Sequence, residues 1–364
     1  MELKPIKIGK YEIKVPIFQG GMGVGISWDQ LAGSVSKTGA LGIISAVGTG
    51  YYKKQQYIQK SVKDKPYNTM NFYSKDALFE IFKNARKICG DAPIGCNILH
   101  AINDYDRVVV DACEAGANMI ITGAGLPTNM PGLTKDYPDV ALIPIVSSPK
   151  ALRILVKRWM NRYDRLPDAI IVEGPLSGGH QGFSYDDCLK EENQLENIVP
   201  AVKEELLKYS DKIPLIAAGG VWDHDDIARM IERGADGVQM GTRFIATHEC
   251  DTHQNMKDIL IKSKKEDIKL FKSPVGYPAR GVHTRLFDVI KTDAAPKVRC
   301  ISNCVTPCHS GVEAKAVGYC IADRLSDAHN GIVDTGLFFS GANGYKIDKI
   351  ISVQELVDKL VHGE

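Results

Sequence analysis

The sequence reads as an α/β protein, a TIM (β/α)8 barrel with a C-terminal cysteine-containing appendage. Three observations predict this. Eight short apolar runs recur through the first 250 residues. Helical patterns lie between most of them. Glycine-rich signals follow several runs, where a parallel-sheet enzyme gathers its ligand-binding loops.

The runs are residues 16–21, 41–46, 94–99, 119–125, 141–147, 169–174, 214–220 and 238–244. Their continuous apolar character fits strands covered on both faces, as in a parallel sheet. Between them, residues 28–37 follow Ser27 as a cap, and 107–115 stop at Gly116. Residues 150–163 form a long amphipathic stretch, and 225–233 stop at Gly234. Eight strands over about 230 residues is a usual barrel. An open doubly wound sheet would carry a dinucleotide fingerprint after an early strand. Gly21-Met22-Gly23-Val24-Gly25 and Gly123-Ala124-Gly125-Leu126-Pro127-Thr128 both lack its third glycine.

The expected division is a barrel over residues 1–250 and a helical and loop appendage over 251–364, closing over or beside it. In the appendage, 254–265 reads as an exposed charged helix and 272–284 as an ordered Pro- and Gly-rich loop. Residues 299–344 carry a cysteine cluster and Ser340-Gly341-Ala342-Asn343-Gly344, and 353–360 reads as a final amphipathic helix.

Lys and Arg number 45 and Asp and Glu 44, so no global basic field points to nucleic acid or an anionic membrane. Aromatic residues are 7% and are nowhere interleaved with arginines as in a single-strand binder. The N-terminus lacks an apolar signal core, and no run approaches a membrane span. A cytoplasmic location is expected, with cysteines as thiols or ligands. Cys89, Cys96, Cys113, Cys188 and Cys250 are dispersed and read as small buried hydrophobes.

The strongest chemical signal is Glu173-Gly174-Pro175-Leu176-Ser177-Gly178-Gly179-His180-Gln181-Gly182. Its glycines let backbone approach a ligand, and His180 is its acid/base group. Gly219-Gly220 and Gly241-Thr242 end the seventh and eighth strands, where barrels commonly bind phosphate. The N–H groups of Gly220, Gly241 and Thr242 are candidates to face the anion, with helix-end dipoles assisting. Either pair alone reads as an ordinary tight strand-to-helix turn; two pairs on consecutive strands point to phosphate. Gly20, Gly21, Met22 and Gly23 suit a flat ring lying on backbone. Asn97 is placed either to bond such a ring or to cap its strand, and Ser147 and Ser148 offer hydroxyls. His224, His248 and His253 sit among polar residues and read as solvent-facing. No HExxH pair and no G-x-S-x-G elbow is present.

Together these motifs resemble the FMN-dependent nitronate monooxygenase family, formerly 2-nitropropane dioxygenases, in one superfamily with the FMN-dependent enoyl-acyl-carrier-protein reductases. The likeness runs from about Pro16 to Thr247. It covers the P-I-x-x-x-x-M-x-x-x-x-S pattern at 16–27, G-A-G-x-P at 123–127 and E-G-x-x-A-G-G-H-x-G at 173–182, with Ser177 where alanine is usual. It also covers A-A-G-G-[IV] at 217–221 and G-A-x-G-V-x-x-G-T-R-F at 234–244. The resemblance implies FMN held at the strand carboxyl ends. Its phosphate contacts would be Gly179, Gly219, Gly220, Gly241 and Thr242. Its ring contacts would be Gly20, Gly21, Met22, Asn97 and Glu173, and its catalytic histidine His180. The implied reaction oxidises alkyl nitronates with O2 to a carbonyl compound and nitrite. An NAD(P)H-dependent flavin reductase of an enoyl thioester or quinone is the alternative, and a flavin- or cluster-bearing sensor a third reading. Expected partners are a small-molecule substrate, NAD(P)H or an electron-transfer protein, and a second copy in a homodimer.

Cys300, Cys304, Cys308 and Cys320 are spaced C-x3-C-x3-C-x11-C. Four thiols this close can hold a [4Fe–4S] cluster or zinc, or remain reduced in a compact appendage. The better-known relatives lack this segment. For the wall over the cofactor, Tyr51-Tyr52, residues 127–133, Phe183 and residues 273–280 are candidates.

Overall fold

A computed structural model describes residues 3–52, 72–298, 300–308 and 312–363. The chain begins with an antiparallel hairpin, β1 (Ile6–Ile8) and β2 (Tyr11–Ile13). The barrel strands follow: β3 (Ile17–Gln19), β4 (Gly42–Ser45), β5 (Ile94–Leu99), β6 (Met119–Gly123), β7 (Ala141–Val146) and β8 (Ile170–Glu173). After a two-residue strand β9 (Gly179–His180) come β10 (Leu215–Ala218) and β11 (Gly237–Met240).

The eight form one parallel sheet in which each barrel strand lies beside its successor. A parallel bridge between Phe18 and Leu41 joins first to second strand, with Gln19 N–H donating to Leu41 O at 2.9 Å. The TIM barrel expected from the eight runs is therefore present.

Strand side chains alternate. The inward set includes Phe18, Ile43, Ile121, Ile143, Ile171 and Ile216, and it packs as one buried cluster with Ile8 and Ile13 of the hairpin. Gly9, at the hairpin turn, lies against Ala141 and Asp168, where β7 and β8 begin. The hairpin thus plugs the N-terminal mouth and leaves the carboxyl ends as the open face.

Among the described residues the appendage has one small cluster of its own, Ala314, Cys320 and Ala322, and its larger apolar side chains pack on the barrel. Met256, Leu260, Phe338, Ile351, Leu356 and Leu360 pack in one buried cluster with Ile17, Leu31, Val238 and Phe244 of the barrel layer. Asp251 ties the two together. Its carboxylate accepts Trp28 N–H at 2.8 Å, Leu31 N–H at 3.1 Å and Gln30 N–H at 3.1 Å, capping the helix Asp29–Lys37 from outside.

Several expectations are corrected. Residues 272–284 are not a loop. β12 (Ile268–Lys272) and β13 (Pro278–Val282) form an antiparallel hairpin, and β13 also pairs with β9, matching Ala279 to His180. Pro278 is tolerated at the first position of its strand. Gly281 passes close to the Phe338 carbonyl, where a side chain would collide. The 254–265 helix ends at Lys262 and buries Met256, Lys257 and Leu260. His248 and His253 are exposed as read, but His224 is half-buried, with Nδ1 3.0 Å from Leu360 O of the last helix. Of the dispersed cysteines, Cys96, Cys113, Cys188 and Cys250 are buried and Cys89 is half-buried. No helix among the described residues is long and apolar enough to cross a membrane.

Candidate active site

One cavity of about 730 Å³ opens at the carboxyl ends of the barrel strands. Gly20, Gly21, Met22, Asn97, Glu173, Gly179, His180, Gly219, Gly220, Gly241 and Thr242 all line it, as do Ser147 and Ser148. The parallel register explains the convergence. Residues Ser45, Asn97 and Ile121 sit level on neighbouring strands, as do Val172 with Ala217 and Glu173 with Ala218.

The floor is glycine backbone. Gly20 N–H donates to Met240 O at 3.0 Å, and Gln19 Nε2 donates to Gly20 O. A side chain at Gly21 would collide with Asn97. Gln239 reaches the same strip from β11, and its buried Oε1 has no hydrogen-bond partner.

The phosphate end is built on two successive left-handed residues, Gly219 at φ +95° and Gly220 at φ +98°. The appendage supplies the opposite wall. Gly341 N–H donates to Thr242 Oγ1 at 2.8 Å, Asn343 Nδ2 donates to Gly220 O at 2.7 Å, and Ala342 N–H donates to Leu176 O at 3.0 Å. Residues 340–343 therefore span both glycine pairs. The helix after Gly241 is a single turn, Thr242–Ile245, too short for the helix-end dipole expected there.

The loop of residues 174–182 is held from within by Gln181, whose Nε2 donates to Ser177 O and Gly179 O, both at 2.9 Å. Ser177 Oγ donates to Gln181 Oε1 at 3.4 Å. Pairing to β13 fixes the loop from outside, and His180 Nε2 lies 2.8 Å from Ser273 Oγ. Phe339 meets the imidazole edge-on at 5.4 Å. Burial pulls the His180 pKa down to about 4, so the ring is neutral at pH 7. Burial pushes the Glu173 carboxyl up to about 7.

Gln239, Arg243 and Asn343 were missed as site residues, and Ser273 was named only as part of the 273–280 wall, not as the partner of His180. The Ser340-Gly341-Ala342-Asn343-Gly344 run was the available signal, since its glycines allow the close approach to residues 176–178 and 242. Of the expected walls, Phe183, Val275 and Tyr277 line the cavity. Tyr51 and Tyr52 lie behind it in a buried cluster, and Leu126 lines it in place of residues 127–133. The cysteines give no support to a metal centre. Cys304 lines the cavity, but among the described residues no group of three or more His, Cys, Asp or Glu is placed to hold a metal ion.

The cavity fits a planar ring carrying an anionic ester. Glycine backbone lies where side chains would fill the floor, Gln239 Oε1 is orphaned beside it, and the buried Arg243 Nε has no partner at the phosphate end.

A family model described as nitronate monooxygenase matches residues 4–363. A probable nitronate monooxygenase of Staphylococcus aureus (strain Newman) is 27% identical over 305 residues, covering 76% of this chain and 77% of that one. FabK from Thermotoga maritima superposes with a TM-score of 0.68 at 26% identity, over 95% of this chain and 91% of that one. Nitroalkane oxidase from Streptomyces ansochromogenes shares the fold, with a TM-score of 0.66 at 20% identity over 95% of this chain and 94% of that one. FMN is the cofactor that such a family implies, and it suits the ring floor and phosphate end just described. The chain is an enzyme, a flavin oxidoreductase, and it belongs to the nitronate monooxygenase family.

Proposed function

We propose that the enzyme oxidises alkyl nitronates with O2, giving a carbonyl compound and nitrite. The supporting observation is a neutral imidazole, fixed by Ser273, lining the same large cavity at the barrel mouth as the glycine backbone of residues 20–23. Bound FMN supplies the electron-transfer chemistry, and the protein positions both reactants.

The residues divide the work. Gly20, Gly21, Met22, Asn97 and Glu173 face the ring. Amides at Gly179, Gly219, Gly220, Gly241 and Thr242 face the phosphate. His180 is the catalytic residue. Ser273 Oγ accepts Val275 N–H at 3.4 Å and has both a proton and a second lone pair for His180 Nε2; with a nitronate, its hydroxyl donates to Nε2. Nδ1 then carries the ring proton and donates to an anionic nitro oxygen. With a neutral nitroalkane the other tautomer serves: Nε2–H donates to Ser273 Oγ, and the unprotonated Nδ1 is the base that takes the α-proton.

A second reading is favoured by the apolar end of the cavity, where Leu99, Ile102, Val305, Ile321 and Leu325 offer room for a longer chain. That reading is an NAD(P)H-dependent flavin reductase of an enoyl thioester or quinone. Two assays separate them. Oxygen-dependent nitrite release from a nitronate supports the monooxygenase. Rapid anaerobic bleaching of the flavin by NADH or NADPH, without nitrite release, supports the reductase.

A further inference from the structure

We infer that Arg243 is the fixed counter-charge for the cofactor phosphate, a positioning residue that acts with the backbone amides after β10 and β11. This rests on the FMN reading above.

Arg243 lines the cavity and follows Thr242 directly. It is the sole Lys or Arg among the described residues lining that cavity, whereas Glu173, Asp187 and Glu192 line it with carboxyl groups. Its guanidinium carbon lies 5.0 Å from the Trp222 ring centroid, so the indole face fixes its plane. Its Nε is buried without a hydrogen-bond partner. Asp223 and Asp348 act on it only through space, and neither forms an ion pair with it.

A partly buried cation left without a carboxylate is unfavourable until an anion arrives. Trp222 offsets part of that cost, and its quadrupole cannot supply a hydrogen-bond acceptor. The neighbouring side chains are neutral: Asn343 Nδ2 donates to Gly220 O, and Thr242 Oγ1, which accepts Gly341 N–H, keeps a hydroxyl proton to donate but brings no charge. Two cations pack on Trp222, Arg243 and Lys346, whose Nζ lies 6.0 Å from the ring centroid, but of the two Arg243 alone lines the cavity, and its planar fork suits phosphate oxygens. Backbone amides alone would recognise the phosphate's shape, and the arginine adds preference for its charge.

The test measures binding of FMN and of riboflavin, which lacks the phosphate, to the deflavinated full-length protein by fluorescence quenching. Wild type, Arg243→Gln and Arg243→Lys are compared, with thermal melts of each. The expected result is a loss of FMN affinity of roughly tenfold to a hundredfold in Arg243→Gln, with riboflavin affinity unchanged. Arg243→Lys should keep part of the FMN preference. Should Arg243→Gln fold poorly, Arg243→Met keeps the stem over Trp222 and reads the same preference. An unchanged FMN-to-riboflavin ratio in these variants overturns the inference, as does an equal loss of both ligands. A wild-type protein that binds FMN no better than riboflavin overturns the cofactor reading itself.

Discussion

His180 Nε2 and Ser273 Oγ lie 2.8 Å apart across 93 positions of sequence. The bond joins the histidine loop to the turn between β12 and β13, and pairing of β13 with β9 brings the two together. His180→Ala should lower turnover roughly a hundredfold or more while the visible flavin bands persist. Ser273→Ala removes the orienting group and leaves the imidazole. It should lower kcat by about fivefold to tenfold with little change in KM. Steady-state nitrite release reads both. A colourless His180→Ala protein would show a structural role instead.

Burial gives Glu173 and His180 opposite pH signs. The Glu173 carboxyl is raised from near 4.5 to about 7, so the folded apoprotein keeps a proton that the unfolded chain has released. That stability is full below about pH 4.5 and is lost as pH rises through 7. His180 is lowered from near 6.5 to about 4, so its contribution is full above 6.5 and is lost as pH falls through 4. Glu173→Gln mimics the protonated carboxyl. Relative to wild type, its apoprotein should gain thermal stability from about pH 5 to about pH 8. A melting difference that stays flat over that range contradicts the assignment.

Gly178 packs against the appendage with no room to spare. A side-chain carbon there would stand 2.7 Å from Gly341 N and from the Ser340 carbonyl carbon. Gly178→Ala should push residues 340–343 off the phosphate end, costing about 1–3 kcal/mol of stability. Lower flavin content per protein should accompany the lower melting temperature. Full flavin occupancy with unchanged stability would show that the segment yields freely.

Asp251→Ala tests a connection remote from the chemistry. Three N–H groups at the start of the helix Asp29–Lys37 would lose their acceptor, at a cost of about 1–2 kcal/mol. The melting temperature should fall while the flavin spectrum and kcat hold. Loss of activity at full flavin occupancy would place Asp251 closer to the reaction than its position indicates.

Much of the barrel was legible because its strands are buried on both faces. Continuous apolar runs such as Ile170–Glu173 have few other uses, and each of the eight runs falls on a barrel strand. The site was legible where glycines carried it, since left-handed backbone at Gly219 and Gly220 leaves a visible mark in sequence. The β12–β13 hairpin was hidden by Pro274, Gly276, Pro278 and Gly281, whose local preference is for turns. What makes 278–282 a strand is pairing with β12 and β9, which composition does not encode. Ser273 and Asn343 were hidden for the same reason, because serine and asparagine gain a role only through distant partners. The four cysteines left three readings open in sequence; Cys304, Cys308 and Cys320 share one small cluster, yet among the described residues no three groups are placed to hold a metal ion.

The most direct test is the visible spectrum of the purified protein, followed anaerobically as an alkyl nitronate is added and then as O2 is admitted. Two flavin bands should be present, bleach on nitronate addition and return with O2 as nitrite accumulates. A protein that cannot be reconstituted with FMN, or flavin bands indifferent to every nitronate offered, would contradict the proposed function.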